Sequence, residues 1–469
     1  MKLNFRTKLA YGIGGTADNT MYTMTSTFLL FFMTSVVGIR PATAGLIAAL
    51  GSIWEVICGP IVAYLSDNTV SKWGKRKPYL VFSSIPVMLL TGLLFTPITV
   101  SYGVKVTYYL VCTLLFWQIF SSFFVPYMAW GSDLTDDYNE RTTLRSYAYV
   151  FNQVGMGLGM VLPSLLSGIL GWSMTAFIIG ICAGGSLLFC ALNIKDESKE
   201  TVLFKIPKIE LSIFTAIIKE YIQLIKLRPV RQIIGASLLY LIADTFFMSD
   251  RMYYFTYNLG ISAQAITLIL VITTVLGVAL TPFVSKLCNK IDKKNVFVRG
   301  MALGGILLIV GRFVSVENIA WTYGLCLFYV IANTCYWQLM PSLLYDVCEV
   351  EELASGERHA GQVISLQALS ESLSTAVGVQ ILGIILELSG FTDNAGAQCS
   401  TALTWISHSF SLIPGICMVL VALIIHKYPV NVEYFANVKK ELEVRRKASK
   451  LLNFGFLRYM WYNNATKPQ

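Results

Sequence analysis

Three carboxylic acids stand inside stretches of sequence that are otherwise almost wholly apolar. They are Asp18, which is followed by Asn19, Glu55 and Glu371. Ionisable groups in such surroundings are costly, and they mark functional sites by default. Burial disfavours the charged form of a carboxyl, so Glu55 is predicted to take up and release a coupling proton, whereas Asp18, Asn19 and Glu371 are predicted to hold a polar solute. The alternative for each is a structural acid that a neighbouring helix satisfies.

Further groups suited to binding a solute or an ion fall in other apolar stretches. Pro126 breaks a helical hydrogen bond and frees a backbone carbonyl. Aromatic side chains beside it can stack on a sugar face, although packing explains them equally well. The additional solute-binding candidates are Phe124, Tyr127, Trp337, Gln338 and Ser372, and Ser121 is a candidate ligand of the coupling ion. The seventh stretch also holds Asp244, Asp250 and Arg251, the last two expected at the membrane boundary.

About a dozen apolar stretches carry these residues, and their length predicts membrane-spanning helices. A helix needs about 20 mainly apolar residues to cross the hydrocarbon. Barrel strands would instead alternate with a period of two over about 10 residues. The composition, 55% hydrophobic and 13% charged residues, also indicates an all-α integral membrane protein. The predicted spans are 11–36, 42–66, 78–97, 106–132, 144–168, 172–193, 230–256, 262–285, 297–315, 319–345, 362–389 and 402–427.

The net charge of +9 is concentrated in alternate connections between the spans. Lys72, Lys75, Arg76 and Lys77 follow the second span, for example, while the odd-numbered connections hold few cations. Positive connections stay in the cytoplasm, so we expect a multi-pass protein of the cell membrane with both termini cytoplasmic. This distribution argues against nucleic-acid binding. The ten cysteines show no metal-ligand spacing, so we predict neither a metal site nor a cofactor.

The longest polar interval, 195–228, divides the spans six and six. It contains an amphipathic piece, 209–227, which predicts a connector lying on the membrane surface. The cationic connection 67–78 after the second span is echoed after the eighth by 286–294. Matched halves of this kind place a substrate site between them at mid-membrane. We therefore expect an N-terminal bundle (1–194), a cytoplasmic connector (195–228), a C-terminal bundle (229–428) and a cytoplasmic tail (429–469) with an amphipathic helix over 432–452 that contacts anionic lipid.

The cationic connection after the second span has a candidate role besides topology. Its charges can pair with helix ends and carboxylates across the cytoplasmic face and help hold an outward-facing state. The gating candidates are Asp67, Gly74, Lys75, Arg76, Lys77 and Arg141. The sequence shows neither a phosphate-cradling loop nor a nucleophile–base constellation, which argues against an ATP-driven pump and against an enzyme.

Six motifs together resemble the glycoside–pentoside–hexuronide:cation symporter family of the major facilitator superfamily, which includes melibiose and glucuronide permeases. In chain order they are Tyr11-Gly12-Ile13-Gly14…Asn19, Ile53-Trp54-Glu55…Pro60, Trp73-Gly74-Lys75-Arg76-Lys77-Pro78-Tyr79, Val125-Pro126-Tyr127, Glu140-Arg141-Thr142…Leu144…Ser146, and Asp346…Gly356-Glu357-Arg358…Gly361…Ser365-Leu366. The resemblance implies the major facilitator fold, with twelve transmembrane helices in two pseudo-symmetric six-helix bundles. It also implies a secondary transporter that couples a glycoside-like solute to Na⁺ or H⁺.

The coupling residues depart from the family pattern on the second helix. The family has a carboxylate at the place of Glu55 and a second one four residues later, where this chain has Gly59. A Na⁺ site needs several hard oxygens with carboxylate charge. Glu55, Ser121 and backbone carbonyls provide few, so proton coupling through Glu55 is preferred over Na⁺ coupling.

The substrate residues depart from the pattern too. Similar permeases carry an Arg at the place of Ala148 and often a Lys at that of Ser372, and the melibiose permease has a carboxylate and a Trp where this chain has Phe124 and Met128. Trp337 matches a family Trp. Loss of the two cations favours a neutral glycoside, or one with an apolar aglycone, over an acidic sugar.

These observations predict a monomeric secondary symporter that moves a glycoside-like small molecule through the lipid bilayer by alternating access. H⁺ is the expected coupling ion, with Na⁺ as the alternative. The sequence leaves open a carrier of an amphiphilic or otherwise non-sugar solute. It also leaves open a sensor on the same scaffold that does not transport.

Overall fold

Twelve long helices make up most of the described part of the chain. The computed structural model describes residues 3–134, 138–194, 221–288, 290–314, 319–355, 360–392, 398–431 and 433–445. A continuous helical segment, Tyr138–Asn193, is divided at Gly171, whose φ is +75°, into α5 (138–170) and α6 (172–193). The other helices are α1 (Phe5–Phe31), α2 (Pro41–Asp67), α3 (Lys77–Leu94), α4 (Tyr102–Asp133), α7 (Arg228–Tyr253), α8 (Ala263–Cys288), α9 (Lys293–Phe313), α10 (Ile319–Ser355), α11 (Ala360–Leu388) and α12 (Ser400–His426).

These helices coincide with the predicted spans, and nine helical segments of the described residues are long and apolar enough to cross a membrane, one of which contains both α5 and α6. The two remaining helices, α1 and α10, carry more polar side chains. The largest deviation is α10, which continues to Ser355 although its apolar run predicted an end at 345. Its last turns include Asp346 and Glu351, which are buried by protein rather than by lipid. The chain is therefore an all-α, multi-pass membrane protein.

Each half begins with a helix that ends in the same way. α1 finishes in a π-helical turn, Phe32–Val36, and α7 finishes in a π-helical turn, Tyr254–Asn258. In both, the residue seven positions past the start of the turn donates back into it: the Ile39 N–H donates to the Met33 carbonyl (2.8 Å) and the Ile261 N–H to the Phe255 carbonyl (3.3 Å). The shared ending is structural evidence of the duplication that the sequence pattern indicates.

Close backbone contacts hold α1 against α5 inside the N-terminal half. Gly155 and Gly159 of α5 face the carbonyls of Thr16 and Thr20, where a Cβ would collide with the carbonyl oxygen. The Thr20 hydroxyl uses this proximity to donate to the Gly155 carbonyl at 3.1 Å. Small residues that let helix backbones approach are the usual means of packing in lipid, where the hydrophobic effect does not drive helices together.

The two halves meet chiefly through three helix pairs, α1 with α7, α2 with α11 and α5 with α8. We call the side of the molecule that carries Lys72, Lys75, Arg76, Lys290 and Lys293 the basic face. The described hydrogen bonds between the halves lie toward the opposite face. They include Thr34 with Tyr253 (2.6 Å), Arg251 with Thr27 (2.7 Å), Ser249 with the Ser26 carbonyl (3.1 Å), Ser164 with Thr267 (2.9 Å), and the Ala42 N–H with Glu387 (2.9 Å).

Part of the sequence prediction lies outside the described residues. This applies to most of the connector, 195–220, and to the end of the tail, 446–469. The tail helix is described over 433–445, and it lies against the protein: Val438 and Leu442 are buried, and the Arg445 guanidinium donates to the Leu353 carbonyl at the end of α10 (2.9 Å). Arg445 therefore joins the tail helix to the end of α10, and the buried apolar residues of this helix pack against the protein.

Candidate functional site

A cavity of about 650 Å³ lies between the two halves. Its polar lining comes from both halves and includes Asn19, Ser26, Ser52, Asn152, Gln153, Asp244, Arg251, Thr273, Thr274, Asn333 and Gln338. Aromatic rings complete the wall, namely Tyr22, Trp117, Tyr149, Phe247, Tyr329 and Trp337. A mostly apolar cavity with a few convergent hydrogen-bonding groups is the usual form of a small-molecule site.

Three of the predicted substrate residues line this cavity: Asn19, Trp337 and Gln338. Trp337 is the most uncovered of them, with 47% of its surface exposed, so its ring faces open space rather than packed side chains. Gln338 is tied down by a hydrogen bond from its amide nitrogen to the Ser285 hydroxyl (2.5 Å). The cavity thus has an aromatic surface and neutral amides side by side, which suits a solute with an apolar face and polar edges.

The three acids singled out in the sequence lie on α1 and α2 of one half and on α11 of the other. The Glu55 carboxyl interacts electrostatically with both Asp18 and Glu371. Glu371 accepts a hydrogen bond of 3.4 Å from Gln367, one turn before it on α11. Tyr22, which lines the cavity, interacts electrostatically with Glu55, Glu371 and Asp244. We call Asp18, Glu55 and Glu371 the carboxyl cluster; charges of like sign repel, so these acids in the protein interior favour the uptake of a proton or a cation.

The candidates on α4 lie in the interior of the N-terminal half. The Tyr127 ring stacks on Tyr11 with centroids 4.6 Å apart, and its hydroxyl donates to the Tyr11 carbonyl (2.8 Å). Phe124 is half-buried and stacks on Phe120 with centroids 5.5 Å apart. Ser121 is buried, and Ser372 of α11 is half-buried. These placements match the packing alternative for the two aromatic rings, and a substrate contact by any of the four stays a prediction.

A polar cluster in the C-terminal half was not among the predicted site residues. Asp244 of α7 accepts hydrogen bonds at its Oδ1 from the Tyr329 hydroxyl and from Asn333 Nδ2 (3.2 Å). The Asn333 amide also donates to the Tyr240 hydroxyl (3.0 Å). Asp244 was visible in the sequence as an acid within a span, but the hydroxyls that orient it come from tyrosines, which sequence reasoning does not separate from membrane aromatics.

Arg251 and Asp250 lie deeper than the sequence suggested. Both were expected at the membrane boundary, yet Asp250 is completely buried and Arg251 is 4% exposed. The Arg251 side chain reaches the cavity wall, where its Nη2 donates to the Thr27 hydroxyl of the other half. The cavity therefore has one guanidinium from α7, although the family's arginine and lysine positions are occupied here by Ala148 and Ser372.

Arg76 is the centre of the ion pairs at the basic end of the N-terminal half. Its guanidinium donates to Asp67 at the end of α2, to Asp133 at the end of α4 (3.1 Å) and to the Ser66 hydroxyl (2.6 Å). Lys77 donates to the Ile194 carbonyl after α6 (3.3 Å). Lys75 is exposed, and Gly74 has φ of +84°, a turn conformation that glycine adopts readily. The Arg141 side chain lies outside the described residues.

The C-terminal half repeats this arrangement with different residues. Lys293 pairs with Asp346 of α10 at 2.5 Å, as Arg76 pairs with Asp133 of α4. Lys294 donates to the Tyr428 carbonyl after α12 (2.5 Å), as Lys77 does to that of Ile194 after α6. In each half a basic dipeptide thus joins the ends of several helices. Within the described residues no three His, Cys, Asp or Glu side chains gather as a metal site would require.

Comparisons with known proteins agree with this architecture. The chain is 26% identical over 459 residues to the glucuronide carrier protein homolog of Escherichia coli (strain K12), covering 96% of this chain and 98% of the relative. It is 26% identical over 437 residues to the isoprimeverose transporter of Lactiplantibacillus pentosus, covering 90% and 88%. The fold is similar to that in the crystal structure of the nucleoside transporter NupG, with a TM-score of 0.63 at 13% identity over 90% of this chain and 99% of that one.

A family model described as MFS/sugar transport protein matches residues 10–432. This match covers both halves, the cavity and the carboxyl cluster. It confirms the family that the six motifs resemble, and with it a secondary transporter rather than an enzyme. The chain belongs to the MFS/sugar transport protein family, that of the glycoside–pentoside–hexuronide symporters.

Proposed function

We propose that this protein is a proton-coupled symporter that carries a neutral glycoside across the cytoplasmic membrane by alternating access. The observation that carries the proposal is the cavity between the halves, which combines neutral amides with the open ring of Trp337. Sugars present hydroxyls at their edges and C–H groups on their faces, so amides and aromatic rings are complementary to them. Relatives include proteins named for the transport of isoprimeverose, glucuronide and sulfoquinovose.

The basic face is proposed to be the cytoplasmic one, since positive connections stay inside. Both chain ends then lie in the cytoplasm, and the hydrogen bonds between the halves close the outer end of the molecule. The conformation is accordingly inward-facing. We expect the functional unit to be a monomer, because each chain contains both halves and the cavity between them.

The carboxyl cluster is proposed to carry the coupling proton, with Glu55 as the exchanging group. Glu55 interacts with Asp18 in its own half and with Glu371 in the other. A proton on Glu55 removes one charge from the α2–α11 interface and lowers the cost of bringing those helices together around a loaded cavity. Support for H⁺ over Na⁺ comes from the ligand set: Gly59 provides no carboxylate one turn after Glu55, and Na⁺ needs several hard oxygens.

The test is transport by the purified protein in liposomes. A panel of neutral glycosides, uronates, nucleosides and lysolipids is presented under an inward pH gradient, an inward Na⁺ gradient or neither. Uphill uptake of a neutral glycoside under the pH gradient alone is the expected result. Uphill uptake driven by the Na⁺ gradient alone would show that the coupling ion is Na⁺ and not H⁺. Uphill uptake of a lysolipid or a nucleoside but of no sugar would overturn the substrate class, and ligands that bind without crossing would identify a sensor.

A further inference from the structure

Only two charged side chains are among the described residues that line the cavity, and both come from α7. They are Asp244 and Arg251. Seven residues separate them, which is two helical turns, so they project from the same side of the helix. The two groups interact electrostatically. The N-terminal wall offers amides and hydroxyls instead, such as Asn19, Asn152 and Ser52. The negative charge of Asp244 and the positive charge of Arg251 therefore cancel, and the net charge of the described cavity wall is zero.

Asp244 is held so that one carboxylate oxygen is occupied and the other is available. Oδ1 accepts from the Tyr329 hydroxyl and from Asn333 Nδ2, and Tyr240 in turn accepts from Asn333. Among the described residues no donor reaches Oδ2. A carboxylate fixed by two donors has lost its rotational freedom before a solute arrives, which lowers the cost of binding. Its free oxygen accepts a hydroxyl proton in a charge-assisted hydrogen bond.

Arg251 is held by a hydrogen bond to the other half of the molecule. Its Nη2 donates to the Thr27 hydroxyl at 2.7 Å, while its buried Nε has no hydrogen-bond partner. A guanidinium that is 4% exposed needs a compensating charge, and Asp244 is the carboxylate with which it interacts electrostatically. A bound anion would have to approach Asp244 and would compete with it for Arg251.

We infer that Asp244 accepts a hydroxyl of the transported sugar, and that its balance with Arg251 makes the cavity select neutral sugars over anionic ones. The inference rests on the proposed sugar transport and adds the residue that sets the preference. Removing the carboxylate leaves Arg251 uncompensated and makes the wall positive. Removing the guanidinium leaves the charge of Asp244 uncompensated and makes the wall negative. The two changes should therefore move the preference in opposite directions.

The experiment compares two sugars that differ only in charge, methyl β-glucoside and methyl β-glucuronide. Their affinities for the full-length detergent-purified protein are measured by thermal stabilisation and by inhibition of counterflow in liposomes. The wild type should prefer the glucoside. Asp244→Asn should weaken glucoside binding and shift the glucuronide-to-glucoside affinity ratio toward the acid by at least about ten-fold, or about 1.4 kcal/mol. Arg251→Gln should shift that ratio the other way.

Asp250→Asn is the matched control, because Asp250 lies on the same helix and is buried but does not line the cavity. It should leave the ratio unchanged. If Asp244→Asn retains binding with a ratio within two-fold of the wild type, or if both cavity variants shift the ratio in the same direction, the inference is wrong. If the stable wild type binds no sugar of any charge, the proposed sugar transport itself fails, and the inference fails with it. Arg251→Gln keeps the test decisive should Asp244→Asn not fold.

Discussion

At the scale of single residues, the carboxyl cluster is the feature that we propose couples transport to a proton gradient. Glu55 interacts electrostatically with an acid of its own half and with an acid of the other half. A charge in that position affects the contact between α2 and α11 directly. Coupling requires that one group respond both to the proton and to the position of the halves, and Glu55 is the group proposed to do so.

Replacing Glu55 by Gln tests this role. The amide keeps the shape of the side chain but holds no exchangeable charge, so the halves can still move around a bound solute. We expect uphill accumulation under a pH gradient to be abolished while counterflow exchange persists. Both are measured with labelled solute in liposomes. Accumulation equal to that of the wild type would show that the coupling proton is carried elsewhere.

The open ring of Trp337 gives a second prediction at this scale. Trp337→Ala should raise the half-saturating solute concentration by about two- to ten-fold, because an aromatic stacking contact contributes about 0.5–1.5 kcal/mol. Trp405 of α12 provides the control: it is 42% exposed, similar to the 47% of Trp337, but it does not line the cavity. Trp405→Ala should leave the half-saturating concentration unchanged. Equal effects of the two substitutions would remove Trp337 from the site.

Sequence reasoning recognised acids in apolar stretches but not the depth at which they lie. Asp18, Glu55 and Glu371 stand out because a charge within a span is rare. Arg251 and Asp250 lie near the end of the seventh span, where the sequence cannot distinguish a solvated boundary from an interface between the halves. The structure places Arg251 in that interface and buries Asp250 completely. Partner residues such as Tyr329 and Thr27 could not be predicted, because their role depends on which helices face each other.

At the scale of helices, the end of the interface opposite the basic face is closed by a helix terminus. Glu387 of α11 accepts a hydrogen bond from the Ala42 N–H in the first turn of α2. A carboxylate at that position also interacts favourably with the positive end of the helix dipole. Gly45 of α2 contacts the Val379 carbonyl one turn further in, so the two backbones run close together. The contact is therefore specific to this conformation of the two halves.

Glu387→Gln should loosen this closed end. The amide oxygen of Gln still accepts a hydrogen bond, so the change removes only the charge, which contributes about 0.3–1 kcal/mol at a helix N-terminus and should raise amide exchange of residues 37–45 by about two- to five-fold. Hydrogen–deuterium exchange read by mass spectrometry measures it. Glu433→Gln, an exposed acid of the tail helix at the basic face, is the control and should change nothing in this segment. Unchanged exchange in Glu387→Gln would show that the backbone contact alone keeps the end closed.

The helices themselves were predictable because a lipid bilayer offers the backbone no hydrogen-bond partners outside the helix. Runs of about 20 apolar residues leave the backbone no alternative to a helix, and the predicted spans agree with the structure to within a few residues for most helices. The exception, α10, continues through acids that bind partners in the protein, Asp346 with Lys293 for example. Hydropathy identifies residues that suit a lipid environment, so it does not predict that α10 continues through polar residues which contact other parts of the protein, such as the tail helix.

At the scale of the whole molecule, each of the two halves has its own ion pairs at the basic face, and these pairs join helices of the same half. Arg76 joins the basic ends of α2 and α4, and Lys293 joins the basic ends of α9 and α10. Each pair lies within one half. In an inward-facing molecule the basic ends of the halves are apart, so these pairs should not influence each other.

This independence can be measured with Arg76→Gln, Lys293→Gln and the double variant. Arg76→Gln should lower the free energy of unfolding by about 1 kcal/mol, since the carboxylate partners of Arg76 are about half exposed and partly screened. Lys293→Gln should lower it by about 3 kcal/mol, because it leaves Asp346, whose side chain is 10% exposed, without its ion-pair partner. Sites in separate bodies without shared partners add to within about 0.5 kcal/mol, so the double variant should show the sum, read as loss of thermal or denaturant stability. A larger coupling energy would mean that the basic ends touch in the resting protein. The cavity would then be closed on the side where alternating access requires it to be open, because the described hydrogen bonds already close the other.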